Sequence, residues 1–264
     1  NFGSIAIPLI IICIVGVLIL VKLLIKKVPI SSKMSYLIAI GTSVCGATAI
    51  VATAPVINAK KTEVAYAIAN ITLFGVIAMI VYPYFAEWYF DNDSLKTGLF
   101  LGTSIHETSQ VAAAGLIYDQ QFNSPETLNV ATVTKLIRNT FLVILIPLFA
   151  FLYNRGELKS QSYSILSIFP YFVIGFIGMI IIRNIGDQLF INDSSNYSTW
   201  ISLIEYVKTL ATVFLTMAMA AVGISINLSE LKSMGYKPFI VGLIAAITVG
   251  IISIIYIEAI TKFF

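Results

Sequence analysis

The sequence predicts an all-helical polytopic membrane protein, an inverted-repeat bundle with two interrupted or re-entrant helices. Three observations carry this. Hydrophobic residues make up 58 % of the chain and charged residues 11 %, with a mean hydropathy of +0.94. That is far too few charges for a soluble surface. The apolar residues fall in runs long enough to cross about 30 Å of hydrocarbon as helices, without the alternation of a β-barrel. Finally, one phrase occurs twice. GTSVCGATAIVATA over residues 41–54 aligns without gaps on GTSIHETSQVAAAG over residues 102–115, 61 positions later.

Candidate spans cover residues 4–26, 34–58, 64–89, 99–118, 130–153, 165–183, 201–224 and 238–260. The first ends in Lys22, Lys26, Lys27 and Lys33, the densest basic cluster, which the positive-inside rule places in the cytoplasm. The next holds the first motif copy, whose Gly41, Gly46, Ala47, Ala49, Ala52 and Ala54 precede Pro55. Such a small-residue segment suits a broken helix or hairpin enclosed by protein. Charge favours hairpins for both copies. Lys60 and Lys61 then return to the cytoplasm, Asp91 and Asp93 lie outside, Arg155, Lys159, Lys232 and Lys237 inside, and Asp187 and Asp193 outside. The two copies enter from opposite faces in that arrangement. After each copy the duplication continues more loosely, from Glu63-Val64-Ala65 to Pro83 and from Asn129-Val130-Ala131 to Pro147. A fainter match relates Phe2-Gly3 to Met234-Gly235. With no linker or low-complexity tract, residues 1–264 read as one transmembrane domain. The sequence starts inside a span, so a missing N-terminal part is expected.

The candidate chemistry sits in and after the second copy. On a continuous helix Thr103, His106, Glu107, Gln110 and Ala114 share one face, a polar stripe in an apolar segment. A carboxylate at mid-membrane is costly, so it is paired or lines a wet path, and Glu107 with His106 and Gln110 are the candidate proton-coupling groups. The bland reading is a glutamate hydrogen-bonded to fix packing. His106-Glu107 begins the zinc motif HExxH, but Gln110 stands where its second histidine belongs and His106 is the only histidine. No metal, cofactor or enzymatic activity is expected. Cys13 and Cys45 lie in apolar segments and suggest neither a disulfide nor a metal site.

Lys135 and Arg138, one turn apart with Asn139 beside them, are candidate anion ligands, Arg138 being the deeper. Asn70, in the comparable stretch of the first copy, is expected to face Arg138. Thr42, Ser43, Thr103 and Ser104 complete the candidate substrate site. If each GTS tripeptide starts a helix, free N–H groups and hydroxyls converge on an anion. The bland alternative is that these hydroxyls bond back to helical carbonyls. Glu205 and Lys208, one turn apart, read as a structural pair, Glu258 and Lys262 as the exit of the last span. The net charge of +3 sits in loop lysines and reports topology; nucleic acid is not an expected partner.

On GTSVCGATAIVATAPVINAK (residues 41–60), GTSIHETSQVAAAG and MAMAAVGISINLSEL (residues 217–231), the chain resembles the YeiH-type family of bacterial inner-membrane proteins, often labelled sulfate exporters. The resemblance implies a cell-membrane location and a fold similar to the sodium/proton antiporter and bile-acid symporter superfamily. It also implies an oxyanion substrate and further helices ahead of Asn1. Two functions of different classes remain open. One is a secondary transporter, either of a small anion such as a sulfur oxyanion with a coupling proton or Na⁺, or as a cation/proton antiporter using Glu107. The other is a structural or sensory membrane protein. The lipid bilayer is a partner in each case, and a homodimer stays open.

Overall fold

A computed structural model describes residues 2–154, 171–190, 194–224 and 235–261. Arg155, Lys159, Asp193, Lys232, Met234, Lys262 and part of the 165–183 and 217–231 segments lie outside the described residues. The described residues are helical, in the order α1 (Phe2–Leu24), α2 (Ser32–Ser43), α3 (Ala47–Thr53), α4 (Lys61–Phe90), α5 (Ser94–Ser104), α6 (Thr108–Phe122), α7 (Pro125–Thr140), α8 (Leu142–Asn154), α9 (Tyr171–Phe190), α10 (Ser194–Ile224) and α11 (Lys237–Thr261). Among the described residues four stretches are long and apolar enough to span a membrane: Gly3–Leu24, Lys61–Phe90, Pro125–Phe149 and Lys237–Ile260.

α4 is the ruler of the bundle. Its 30 residues correspond to about 45 Å at 1.5 Å per residue. It starts in a capping box, with Glu63 reaching back to the Lys60 N–H at 2.9 Å. It stops where Asp91 and Asn92 turn left-handed at φ 51° and 59°.

Each motif copy folds back on itself as a pair of short helices. Ser31 caps α2 by accepting from the Met34 N–H at 3.0 Å, and its hydroxyl bonds to Glu63 at the start of α4. Lys33 donates to the Asn58 carbonyl at 2.6 Å, so the chain leaves α3 beside the point where it entered α2. Within this first hairpin α3 folds back onto α2 so closely that a Cβ on Gly41 would lie 2.8 Å from Ile50 Cδ1. The second hairpin, α5 and α6, has its base at the other end of α4. There the Ser94 and Ser124 hydroxyls meet at 2.9 Å, and Tyr118 donates to Glu87 at 2.6 Å. The hairpins thus enter from opposite ends and meet tip to tip.

α7 rises from the base of the second hairpin, beginning with Pro125 at its first turn and continuing through Phe141 into α8. It lies almost backbone to backbone on the second hairpin. Cβ atoms on Gly98, Gly102 and Gly115 would fall 2.5 Å from Val130 Cβ, 2.6 Å from the Ala131 carbonyl oxygen and 2.9 Å from Leu128 Cα. α1 and α11 pack together along one side, Gly16 against Ile252. Leu243, Ile247, Ile251 and Ile255 of α11 form an exposed stripe suited to lipid. α9 and α10 pair through Trp200, whose indole N–H donates to Asp187 at 2.8 Å.

Charge sorts between the two ends. Lys33, Lys60 and Lys61 gather at the first hairpin's base, and the start of α11 with Lys237 joins them through Tyr66, which donates to the Gly235 carbonyl at 2.8 Å. Asp91 and Asp93 sit at the other base, where Lys96 bridges Asp93 at 4.0 Å and Glu258 at 3.7 Å. The basic and acidic loops thus separate to opposite ends of the bundle, the distribution that the positive-inside rule uses. Glu205 and Lys208 pair at 2.8 Å on an exposed surface.

Candidate functional site at the hairpin tips

The two tips break their helices by different means. In the first, Val44 leaves helical geometry and Gly46 turns at φ 70° and ψ −124°, a conformation open to glycine. A Cβ there would also run into the Glu107 carboxylate. In the second, Ile105 and Glu107 are extended, at ψ 143° and 144°, and Glu107 and Gln110 form a reciprocal capping box opening α6. The polar stripe expected on one helix face therefore does not exist as such. Thr103 lies in the last turn of one helix, His106 lies in the break, and Gln110 is in the first turn of the next.

The GTS expectation is overturned in direction. Both tripeptides close helices, α2 at Ser43 and α5 at Ser104, so they aim carbonyl oxygens at the junction. Their N–H groups are already spent within the helices. The Ser43 and Thr103 hydroxyls bond back to the Ala39 and Leu99 carbonyls at 2.6 and 2.7 Å. Thr103 also meets Ser253 of α11 at 2.7 Å, a partner that the sequence did not suggest.

Two fully buried cations from α7 meet those carbonyls. Arg138 donates to the carbonyl oxygens of Ser43 at 2.8 Å, Thr103 at 2.7 Å and Ile105 at 3.3 Å, and also to Thr42. Lys135 donates to Val44 at 2.8 Å, Ile105 at 2.9 Å and also His106. An ammonium has three donors, so Lys135 has none to spare. Each cation bridges both hairpins and offsets the partial negative ends of α2 and α5.

Glu107 plays the opposite part. Its carboxylate accepts the Ala47 N–H across the junction at 2.6 Å while capping its own helix. Gln110 Oε1 takes the Glu107 N–H at 3.3 Å, and Gln110 Nε2 donates to the Thr72 carbonyl of α4 at 3.2 Å. Asn139 donates to the Thr108 hydroxyl at 3.1 Å. Asn70 does not face Arg138 as expected. It donates to the Pro238 carbonyl at 2.9 Å and packs on Gly242, because α11 covers that stretch of α4. The structure thus gathers Thr42, Ser43, Thr103, Lys135, Arg138, His106, Glu107, Gln110 and Asn139 at one junction and leaves Asn70 outside it.

Several buried polar atoms at the junction lack a hydrogen-bond partner: Thr42 Oγ1, Ser104 Oγ, Thr134 Oγ1, His106 Nδ1 and Asn139 Oδ1. Buried polar groups are ordinarily satisfied, so these five atoms are exceptions gathered on the segments that meet at the tips.

Residues 1–242 match the family model described as Conserved hypothetical protein 698. Among relatives, a UPF0324 membrane protein of Fusobacterium nucleatum is 36 % identical over 96 % of this chain and 74 % of its own length. One from Streptococcus agalactiae is 36 % identical over 95 % of this chain and 71 % of its own length, and one from Streptococcus pneumoniae 33 % identical over 94 % and 70 %. No solved structure matches the chain.

Proposed function

This chain belongs to the UPF0324 family of multi-pass membrane proteins, and from that premise we propose that it is a proton-coupled secondary transporter of a small anion. The observation that carries the reading is the charge count at the tips. Lys135 and Arg138 are buried against a single carboxylate, that of Glu107. A surplus positive charge buried at mid-membrane favours an anion there.

The residue roles follow the hydrogen bonds. Lys135 and Arg138 supply the positive field, since their donors are largely committed to carbonyls. Direct contacts fall to unpartnered groups, the Thr42 and Ser104 hydroxyls, His106 and Asn139. Opposed hairpins suit an inverted repeat with alternating access around a central site. The cation/proton reading is weaker here: the carbonyl oxygens that would ligate Na⁺ already hold an ammonium and a guanidinium.

Purified protein in proteoliposomes, loaded with sulfate, sulfite or acetate under an imposed pH gradient, tests this. Proton-driven anion accumulation is expected, and Arg138→Gln should weaken anion-induced stabilisation more than Lys135→Gln. Na⁺-driven proton flux without anion flux would establish antiport of cations instead. No flux of either kind would leave a non-transporting membrane protein.

A further inference from the structure

The seat facing the surplus charge is already filled by the chain itself. The Glu107 carboxylate lies against Gly46, where a Cβ would clash with it, and it takes the Ala47 N–H at 2.6 Å. It also caps α6, a helix of 15 residues. A carboxylate held by backbone N–H groups at a helix start is how proteins bind free oxyanions. Second, independent signs of a ligand lie on the two segments that meet here. The His106 Nδ1 and the Ser104 and Thr42 hydroxyls are at most 2 % exposed and have no partner. Glu107 does not use them, so buried polar groups of both tips remain unengaged by the chain.

We propose that the Glu107 carboxylate is a tethered stand-in for the transported ion, occupying the seat of a small monoanionic oxyanion that enters when Glu107 is protonated and swings out. This rests on the anion reading above and specifies its site and charge. The exchange balances. One proton arrives on the Glu107 carboxylate, one negative charge leaves the seat, and one monoanion replaces it on the Ala47 N–H and the α6 start. The junction keeps its charge, so proton and anion cross together without moving net charge. When the anion departs, deprotonated Glu107 returns and closes the seat.

The titratable and charged groups facing Glu107 are Lys135 and Arg138 from α7, Cys45 in the opposite tip, and His106 beside it. Against α6, α4 brings the uncharged Thr72 and Gly75. Of these, Glu107 alone is both negative when deprotonated and bonded to the proposed seat.

The test is thermal unfolding of the full chain in detergent, as wild type, Glu107→Gln and Glu107→Ala, with acetate, sulfite or sulfate between pH 5 and 8. Glu107→Ala removes the atoms that acetate would replace. Acetate should raise its Tm by at least about 2 °C while hardly shifting wild type at pH 8. Wild type should gain anion stabilisation as the pH falls, and Glu107→Gln should bind anions with no such dependence. If Glu107→Ala does not fold, the pH dependence of wild type against Glu107→Gln still decides. Anions that stabilise wild type and Glu107→Gln with the same pH profile would overturn the tethered stand-in and leave the anion reading intact. Failure of every anion with every variant, including wild type, would overturn the anion reading itself.

Discussion

The two hairpins break after the same three residues, Gly-Thr-Ser, and reach the same place, yet they carry different loads. The first tip, Val44-Cys45-Gly46, turns through a left-handed glycine and offers only backbone: carbonyls to Lys135 and Arg138, and the Ala47 N–H to Glu107. The second tip, Ile105-His106-Glu107, turns through extended backbone that leaves room for an imidazole and a carboxylate. The repeated phrase breaks its helix both times, with a thiol in one copy and an imidazole and a carboxylate in the other. The first tip is the template and the second the actor. Arg138 and Lys135 bond to both, so the two tips share the same pair of cations.

The largest expected effect tests that shared pair. Arg138→Ala strips donors from carbonyls of both hairpins and should destabilise by about 3–5 kcal/mol, read as lost expression or a lowered Tm in detergent. A near-neutral result would mean that the tips hold together without it. Lys135→Met, which keeps the stem but removes three donors, should cost about 2–4 kcal/mol in the same measurement. Gly46→Ala attacks the first tip only, through φ 70° and the clash with Glu107, and should cost about 1–3 kcal/mol. Combining it with Glu107→Ala should recover about 1 kcal/mol, because the clash is gone while the backbone strain remains. Strict additivity would show that the two tips do not touch in solution. The smallest effect belongs to Ser43→Ala, within about 0.5 kcal/mol, since that hydroxyl only bonds back to Ala39. A loss of anion response in Ser43→Ala with stability intact would give the hydroxyl a ligand role instead.

Much of this was legible. The repeated GTS phrase located both tips, loop lysines and aspartates favoured hairpins over crossings, and Arg138 was read as the deeper of the two α7 cations. The direction of the half-helices was misread, for a physical reason. Small polar residues are common at both ends of a membrane helix, so GTS alone has no polarity. The signals that carry polarity lie elsewhere. Ser31 and Asp93 are N-caps one short helix upstream of each GTS, and Glu107-Thr-Ser-Gln110 is itself a capping box announcing a new start. Asn70 failed differently. Its position in the repeat is comparable to that of the α7 cations, but its environment is set by α11, which no internal repeat could reveal.

The span of sequence that Arg138 ties together also has a meaning in time. Its bond to Thr42 joins residues 96 positions apart. At about 5–20 residues per second, the ribosome needs roughly 5–20 s after the first hairpin's tip to make the residue that satisfies its carbonyls. Until α7 is synthesised, that tip exposes bare backbone oxygens that hydrocarbon cannot solvate. Those oxygens need water or another donor in the interval. Of the residues joined at the tips Arg138 is the last to be synthesised, so the clasp between the two hairpins closes late.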